Sequence, residues 1–300
     1  MSETIITSVA EFHEQLRQRA TGAAVFLYRG QAEAAWPVSC SAARRLTKDP
    51  ADPLEIENVS FRTLIGYLEF LIARAKMRGF LPPGIDMTSP DLELLAQLQH
   101  QGAATGLIDF TRQPHVALWF ACNEARAEDG AVAVLARSAT EEIGSRGDIE
   151  NRTIQSFYQG DTLWSWEPAA LGNRIVAQSS VFVLGVPAVA SDMMEKFIVR
   201  AESKDDILAQ LESVYGISEE MLFSDFPGFA VANAANKSFD INDSMTYWLE
   251  QIERAADDAA KVTAHSACGL AYADIGDDEK AQVQYVAARR IAERMQGLSD

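Results

Sequence analysis

Three stretches, far apart in the chain, carry polar side chains where the surrounding residues are apolar. The first is Phe26-Leu27-Tyr28-Arg29-Gly30-Gln31. A guanidinium at the end of an apolar run presents a rigid fork of donors that suits phosphate or carboxylate. The glycine after it lets the backbone turn beside a cleft. On residue types alone, pairing of Arg29 with an internal carboxylate is the commoner outcome. The second stretch runs from Leu98 to Cys122, where His100, Thr105, Asp109 and Thr111 interrupt apolar chain. The oxygens of Asp109 and Thr111 can cap the helix that Pro114 opens, more readily for Thr111, or face a ligand. His100 reads more often as a satisfied, partly buried histidine than as a catalytic base. The third stretch is Trp164-Ser165-Trp166-Glu167 followed by Asn173 to Val183. Arg174 and Gln178 lie an even number apart, so a strand would put them on one face. Trp164 and Trp166 would form an aromatic wall for a planar ligand, or pack in a core.

The elements that must position these groups follow from periodicity. A helix over residues 7–20 starts at Ser8 and carries Val9, Phe12 and Leu16; Thr21-Gly22 breaks it. Ala23–Tyr28 reads as a buried strand and Arg29-Gly30-Gln31 as a polar turn. Glu55–Met77 is the clearest helix, with Phe61, Leu64, Ile65, Leu68, Leu71, Ile72 and Ala75 in one stripe. Further helices open near Ser89-Pro90, running to about His100, and at Pro114. Strands are expected at Ala131–Leu135, Arg174–Ala177, Val181–Gly185 and Lys196–Val199. Helices interspersed with short strands give an α+β class, with a mixed or antiparallel sheet flanked by helices. In the last 60 residues, Met245, Trp248, Leu249 and Ile252 form an amphipathic stripe. A helical hairpin then follows around Gly276, and its glycine, alanine and tyrosine spacing resembles a single tetratricopeptide repeat. One repeat is too short for a solenoid, so the hairpin packs on the body or offers a protein-docking surface. The expected division is 1–238 and 239–300.

Composition narrows the function classes. The 300 residues are 48% hydrophobic and 23% charged, which is ordinary for a globular protein. The net charge is −17, and the last 100 residues carry 8 basic against 19 acidic groups. Such acidity disfavours nucleic acid as a general ligand and leaves it open only as an acceptor. Cys40, Cys122 and Cys268 are odd in number and widely spaced, and His13, His100, His115 and His265 are dispersed. Reduced thiols and no metal site are expected. With no secretory signal and no long apolar run, a cytoplasmic protein off the membrane is expected. No phosphate loop, Gly-x-Gly-x-x-Gly, Gly-x-Ser-x-Gly or His-Glu-x-x-His pattern occurs.

Taken in order, these residues resemble a known bacterial family, the FRG domain, named for its Phe/Tyr-Arg-Gly tripeptide. The resemblance rests on several blocks. They are Tyr28-Arg29-Gly30-Gln31, Trp36 with Arg44, the block from Gln99-His100-x-Gly102 through Leu107-Ile108-Asp109-Phe110-Thr111 to Ala121, and Arg174-Ile175 with Gln178 and Phe182. It spans about residues 10–235. Gly106 stands where the family usually has arginine, and Phe110 where it usually has tryptophan. The order of segments is also similar, more weakly, to the ADP-ribosyltransferase fold. That likeness implies an NAD-using transferase or NAD hydrolase, and the family implies a toxin or phage-defence setting. On this mapping Arg29, with Gly30, Gln31, His100, Arg174 and Trp166, would bind the nucleotide. Thr111 and Asp109 would lie beside the nicotinamide ribose, and Gln178 would take the place of the usual acid, with Asp109 or Glu167 supplying the missing charge. The other reading is a non-enzymatic module that binds a nucleotide or a protein.

Overall fold

The computed structural model describes residues 4–19, 24–49, 52–160, 162–168, 172–234 and 241–296. The Thr21-Gly22 break and the boundary expected at 238–239 lie outside those residues. The chain forms two compact units, Met1–Val231 and Ala232–Asp300.

Among the described residues of the first unit, eight strands make one mixed sheet. They are β1 (Thr4–Ile6), β2 (Phe26–Gln31), β3 (Ile108–Thr111), β4 (Gly130–Ala136), β5 (Glu141–Ile143), β6 (Trp164–Trp166), β7 (Ser180–Leu184) and β8 (Met194–Val199). Their order is β1-β8-β4-β2-β3-β7-β6-β5. β1–β8 and β5–β6 pair in parallel, and the remaining neighbours antiparallel. The expected α+β class with a mixed sheet is what is found.

The sheet is buried on both faces, which explains why β4 is apolar without alternation. Ala133 and Leu135 enter one core, while Val132 and Val134 enter the other. The helices of this unit are α1 (Val9–Arg19), α2 (Ser41–Leu46), α3 (Pro53–Glu57), α4 (Phe61–Met77), α5 (Asp91–His100) and α6 (Pro114–Asn123). They continue as α7 (Arg146–Glu150), α8 (Ile154–Phe157), α9 (Asn173–Ala177), α10 (Lys204–Tyr215), α11 (Glu219–Leu222) and α12 (Phe226–Ala232). Leu64 and Leu68 of α4 pack with Leu94 and Leu95 of α5 on the face that receives Leu27 and Phe182. Phe12 of α1, Trp119 of α6 and Leu211 of α10 cover the other face with Phe197. A fully buried lysine, Lys204, locks α10 in place. Its ammonium donates to the carbonyls of Ala32, Glu124 and Ala125 at 2.7, 3.1 and 3.0 Å. Three acceptors replace the hydration the charge has lost.

Several sequence expectations are corrected here. Arg29-Gly30-Gln31 is no turn; β2 continues through it, paired with β4 to Gln31↔Ala131. Arg174–Ala177 is no strand but the helix α9. Arg174 and Gln178 do share a side, through the i,i+4 helical repeat in place of the strand repeat. The single helix expected over Glu55–Met77 is two. α3 ends at Glu57 with Asn58 as its C-cap, and Ser60 caps a new start by accepting from Thr63 N.

The second unit holds three helices among its described residues: α13 (Ile241–Arg254), α14 (Asp258–Asp274) and α15 (Asp278–Met295). Asp257 and Asp277 cap the latter two. Gly276, at φ +79°, makes the turn between them. A Cβ at Gly269 would lie 2.7 Å from the Tyr285 ring, so the missing side chain sets how closely α14 and α15 approach. Among the described residues no helix is long and apolar enough to cross a membrane. Likewise no group of three or more His, Cys, Asp or Glu is placed to hold a metal ion. The three cysteines are free and buried, and burial pushes the Cys40 and Cys122 thiols up to about 11 and about 12.

Candidate functional site

β2 and β3 are neighbours, yet their ladder holds at a single pair, Tyr28↔Thr111. Beyond it the strands part. Into the opening come Arg29 from β2, Asp109 from β3, Gln99 and His100 from the end of α5, and Arg174 with Gln178 from α9. The cavity so formed is about 270 Å³, with Tyr28, Phe120 and Phe223 supplying aromatic wall. A second cavity of about 190 Å³ adjoins it, and Arg29, Gln99 and Asp109 line both.

The guanidinium of Arg29 is 18% exposed. Its Nη1 donates to the Asp109 carbonyl at 2.7 Å, bridging the strands where the ladder has opened. The Asp109 carboxylate is 55% exposed and 3.9 Å away, so the two do not form a tight internal pair. Arg29 Nε is buried without a partner. Burial pulls the Arg29 pKa down from its ordinary value, the Asp109 charge opposes this, and Arg44 adds to it. The Asp109 carboxylate is oriented by a relay. The Thr105 hydroxyl donates to Gln99 Oε1, which turns the amide so that Gln99 Nε2 donates to Asp109 Oδ1 at 2.6 Å.

His100 Nε2 and Arg174 Nε are also buried without partners. Arg174 donates to the His100 carbonyl at 3.3 Å and to Asp225 Oδ1 at 2.7 Å, and lies over the Phe223 ring. Burial pushes the Asp225 carboxyl up, but the Arg174 hydrogen bond and the Gly228 N–H outweigh it and leave the pKa lowered. His100 is held below its usual value by burial; Asp109 and Asp225 oppose this and Arg174 reinforces it. His115, stacked on Tyr215 and 2.5 Å from His13, is lowered by burial and by His13. Below pH 6.5 the unfolded chain therefore binds protons at these two positions that the folded chain resists. Their contribution to stability is complete above pH 6.5 and is lost as the pH falls. The melting temperature is expected to drop between pH 7.5 and 5.5, and a His100→Gln/His115→Gln variant to show a shallower drop. Identical slopes in both proteins would contradict this.

Other sequence candidates are placed differently. Thr111 borders the cavity, but its hydroxyl donates to Gln178 O at 2.6 Å and accepts from Gln113 N at 2.9 Å. Gln113 is the cap residue of α6 and no side chain caps that helix, so Thr111 braces the turn before it instead of taking the capping role expected. The Gln178 amide donates to Leu222 O at 3.1 Å. Gly30 lines the cavity through its backbone. It is required there by helix packing, not by a turn. Gln31 is buried away from the cavities, donating to Pro37 O. Trp166 is no cleft wall, because it packs on Phe182 inside the core. Trp164 sits against Phe157 and Arg152. Glu167 is no alternative acid either, being paired with Arg112 at 2.9 Å and Arg137 at 3.9 Å and not lining the cleft. The Gly106 position faces neither cavity. A Cβ there would meet the hydroxyl of Tyr158, which donates to Gly106 O, and lie 2.8 Å from Leu68.

Gln99, Phe120, Ser180 and Phe223 border the cavity, and none of them is given a site role by the sequence alone. Gln99 had a signal, since it directly precedes His100 on an amphipathic helix end. Phe223 lies in the run 222–228 that resembles the family's tail, but only the fold brings residues 222–225 across α9.

The family model of the FRG domain matches residues 24–130. That span contains Arg29, Gln99, His100, Asp109 and Thr111, and stops before Arg174 and Gln178. No curated protein and no solved structure matches the chain.

Proposed function

The chain carries an FRG domain, and from that premise we propose that its cleft binds NAD and breaks the nicotinamide–ribose bond, passing ADP-ribose to water or to a macromolecular acceptor. The observation that carries the reading is the convergence of three distant stretches on one cavity around Arg29, whose Nε lacks a partner. Two further points support it. The polar atoms left unpaired, the donors Arg29 Nε and Arg174 Nε and the ring nitrogen His100 Nε2, suit an anionic, hydrogen-bonding ligand, and Tyr28, Phe120 and Phe223 suit a planar ring. The strands that bear Arg29 and Thr111 lie side by side, so both segments border one cavity.

Arg29 takes phosphate in this reading. As the C1′–N bond breaks, its electron pair leaves with nicotinamide and positive charge develops on the ribose. Asp109 is the carboxylate bordering the cavity, and the Thr105–Gln99 relay holds it in place to stabilise that charge. Gln178 has no charge to offer and its amide is engaged by Leu222 O. That engagement favours the second reading, a module that binds nucleotide without turnover. Calorimetry with NAD, together with chromatographic detection of free nicotinamide, tests both. Binding with release supports the proposal; binding without release supports the second reading. No binding rejects both.

A further inference from the structure

The smaller cavity beside the cleft has a charge pattern of its own. It is lined by Arg29, Arg44, Ser39, Ser41, Gln99 and Asp109, among others. Arg44 Nη1 donates to Ser39 O at 2.8 Å and Ser39 Oγ at 3.2 Å. Among the described residues no carboxylate pairs with Arg44. Two guanidiniums thus face one small space against one carboxylate, and the Asp109 Oδ1 is already taken up by Gln99. In a chain of net charge −17, this concave site carries a local surplus of positive charge. Like charges converging on a cavity cost energy unless an anion occupies it. The Ser39 and Ser41 hydroxyls are engaged within the protein, Ser39 Oγ accepting from Arg44 and Ser41 Oγ bonding the Thr105 main chain, so the two guanidiniums are what the cavity offers an anion.

We propose that this cavity is a phosphoryl subsite, in which Arg44 and Arg29 together hold the pyrophosphate of a dinucleotide whose ring and ribose occupy the larger cavity. The identity of the ligand rests on the NAD reading above, whereas the anion site itself does not. Arg44 is then the residue that separates dinucleotides from nucleosides. It contributes to affinity and leaves the bond-breaking geometry at Asp109 untouched.

The test uses the full chain and three probes: inorganic pyrophosphate, NAD and nicotinamide riboside. Wild type is expected to bind pyrophosphate by calorimetry, and Arg44→Ala to weaken both pyrophosphate and NAD at least tenfold. Nicotinamide riboside affinity is expected to stay unchanged. Arg44→Lys keeps the charge, loses the fork, and serves where the alanine variant does not fold; it is expected to weaken pyrophosphate several-fold. Pyrophosphate binding that depends on Arg44, with no NAD binding, keeps the subsite and rejects the NAD reading. NAD binding unaffected by both Arg44 substitutions, or wild type that does not bind pyrophosphate, overturns the subsite.

Discussion

Arg29→Ala is expected to fold and to lose NAD affinity by about two orders of magnitude, as truncating one partner of a buried charged contact costs about 2–5 kcal/mol. The two halves of that expectation have separate causes. Stability depends on what the guanidinium does for the protein, which is one hydrogen bond, Nη1 to the Asp109 carbonyl, across strands that have already parted. Losing it costs about 1.5–3 kcal/mol, the range for a hydrogen bond to a charged group. Part of that is returned, since the variant no longer holds a partly buried cation with an unpaired Nε. Binding depends on what the guanidinium does for the ligand, and there Arg29 borders both cavities. Removing it empties the shared wall of its only strand-borne cation. Thermal unfolding and calorimetry on the same preparation separate the effects. An Arg29→Ala protein that unfolds would show the side chain to be structural, and one that binds NAD as wild type does would reject the site. Arg29→Lys should recover stability more than affinity, since a lysine restores charge without the planar fork.

Much of this site was legible in the sequence, for a physical reason. A charged or polar residue set in an apolar run must have its cost met by a partner or a ligand, so Arg29, His100, Asp109 and Arg174 stood out by type alone. What failed was local conformation where tertiary contacts decide it. Arg174-Ile175-Val176 has the β-branched character of a strand, yet the segment is a five-residue helix. Its ends are fixed by Arg174 to Asp225 and Gln178 to Leu222, contacts 51 and 44 residues away that no window of sequence contains. Trp164 and Trp166 failed differently. Period 2 puts both on one side of a strand, but their side is set by which strand lies next to them. Beside β7, Trp166 meets Phe182 and is sealed in the core. The 270 Å³ cavity itself comes from the parting of β2 and β3, a property of the sheet that no single residue announces.

The packing of α6 on β2 explains why the residue after Arg29 must be glycine, and why Gly30→Ala is expected to give the largest loss of stability in the chain. Its φ lies outside the left-handed region, so backbone strain is not the reason. The reason is α6, which crosses β2 so closely that a Cβ at position 30 would run into the Ala117 carbonyl oxygen. It would also lie 2.7 Å from Ala121 N and from Phe120 Cβ. Two of those atoms are main chain and cannot rotate away. The neighbouring strand repeats the device, because a Cβ at Gly130 would run into the Ala121 carbonyl oxygen. Glycines on β2 and β4, with alanines on α6, thus let the helix sit on the sheet itself. That contact also brings Phe120 to the cavity wall and holds the helix start beside Thr111. One added methyl must lift α6 from the sheet and open the core around Trp119 and Leu118, at a cost of about 4 kcal/mol or more. Against a marginal total of about 5–15 kcal/mol, the variant is expected to melt at least 10 °C lower or to be recovered unfolded. Gly66, with open space around its absent Cβ on the outer side of α4, is the matched control, and Gly66→Ala is expected to raise stability slightly. Equal melting temperatures for Gly30→Ala and wild type would mean that α6 does not rest on β2 as described, and the cavity built from that contact would fall with it.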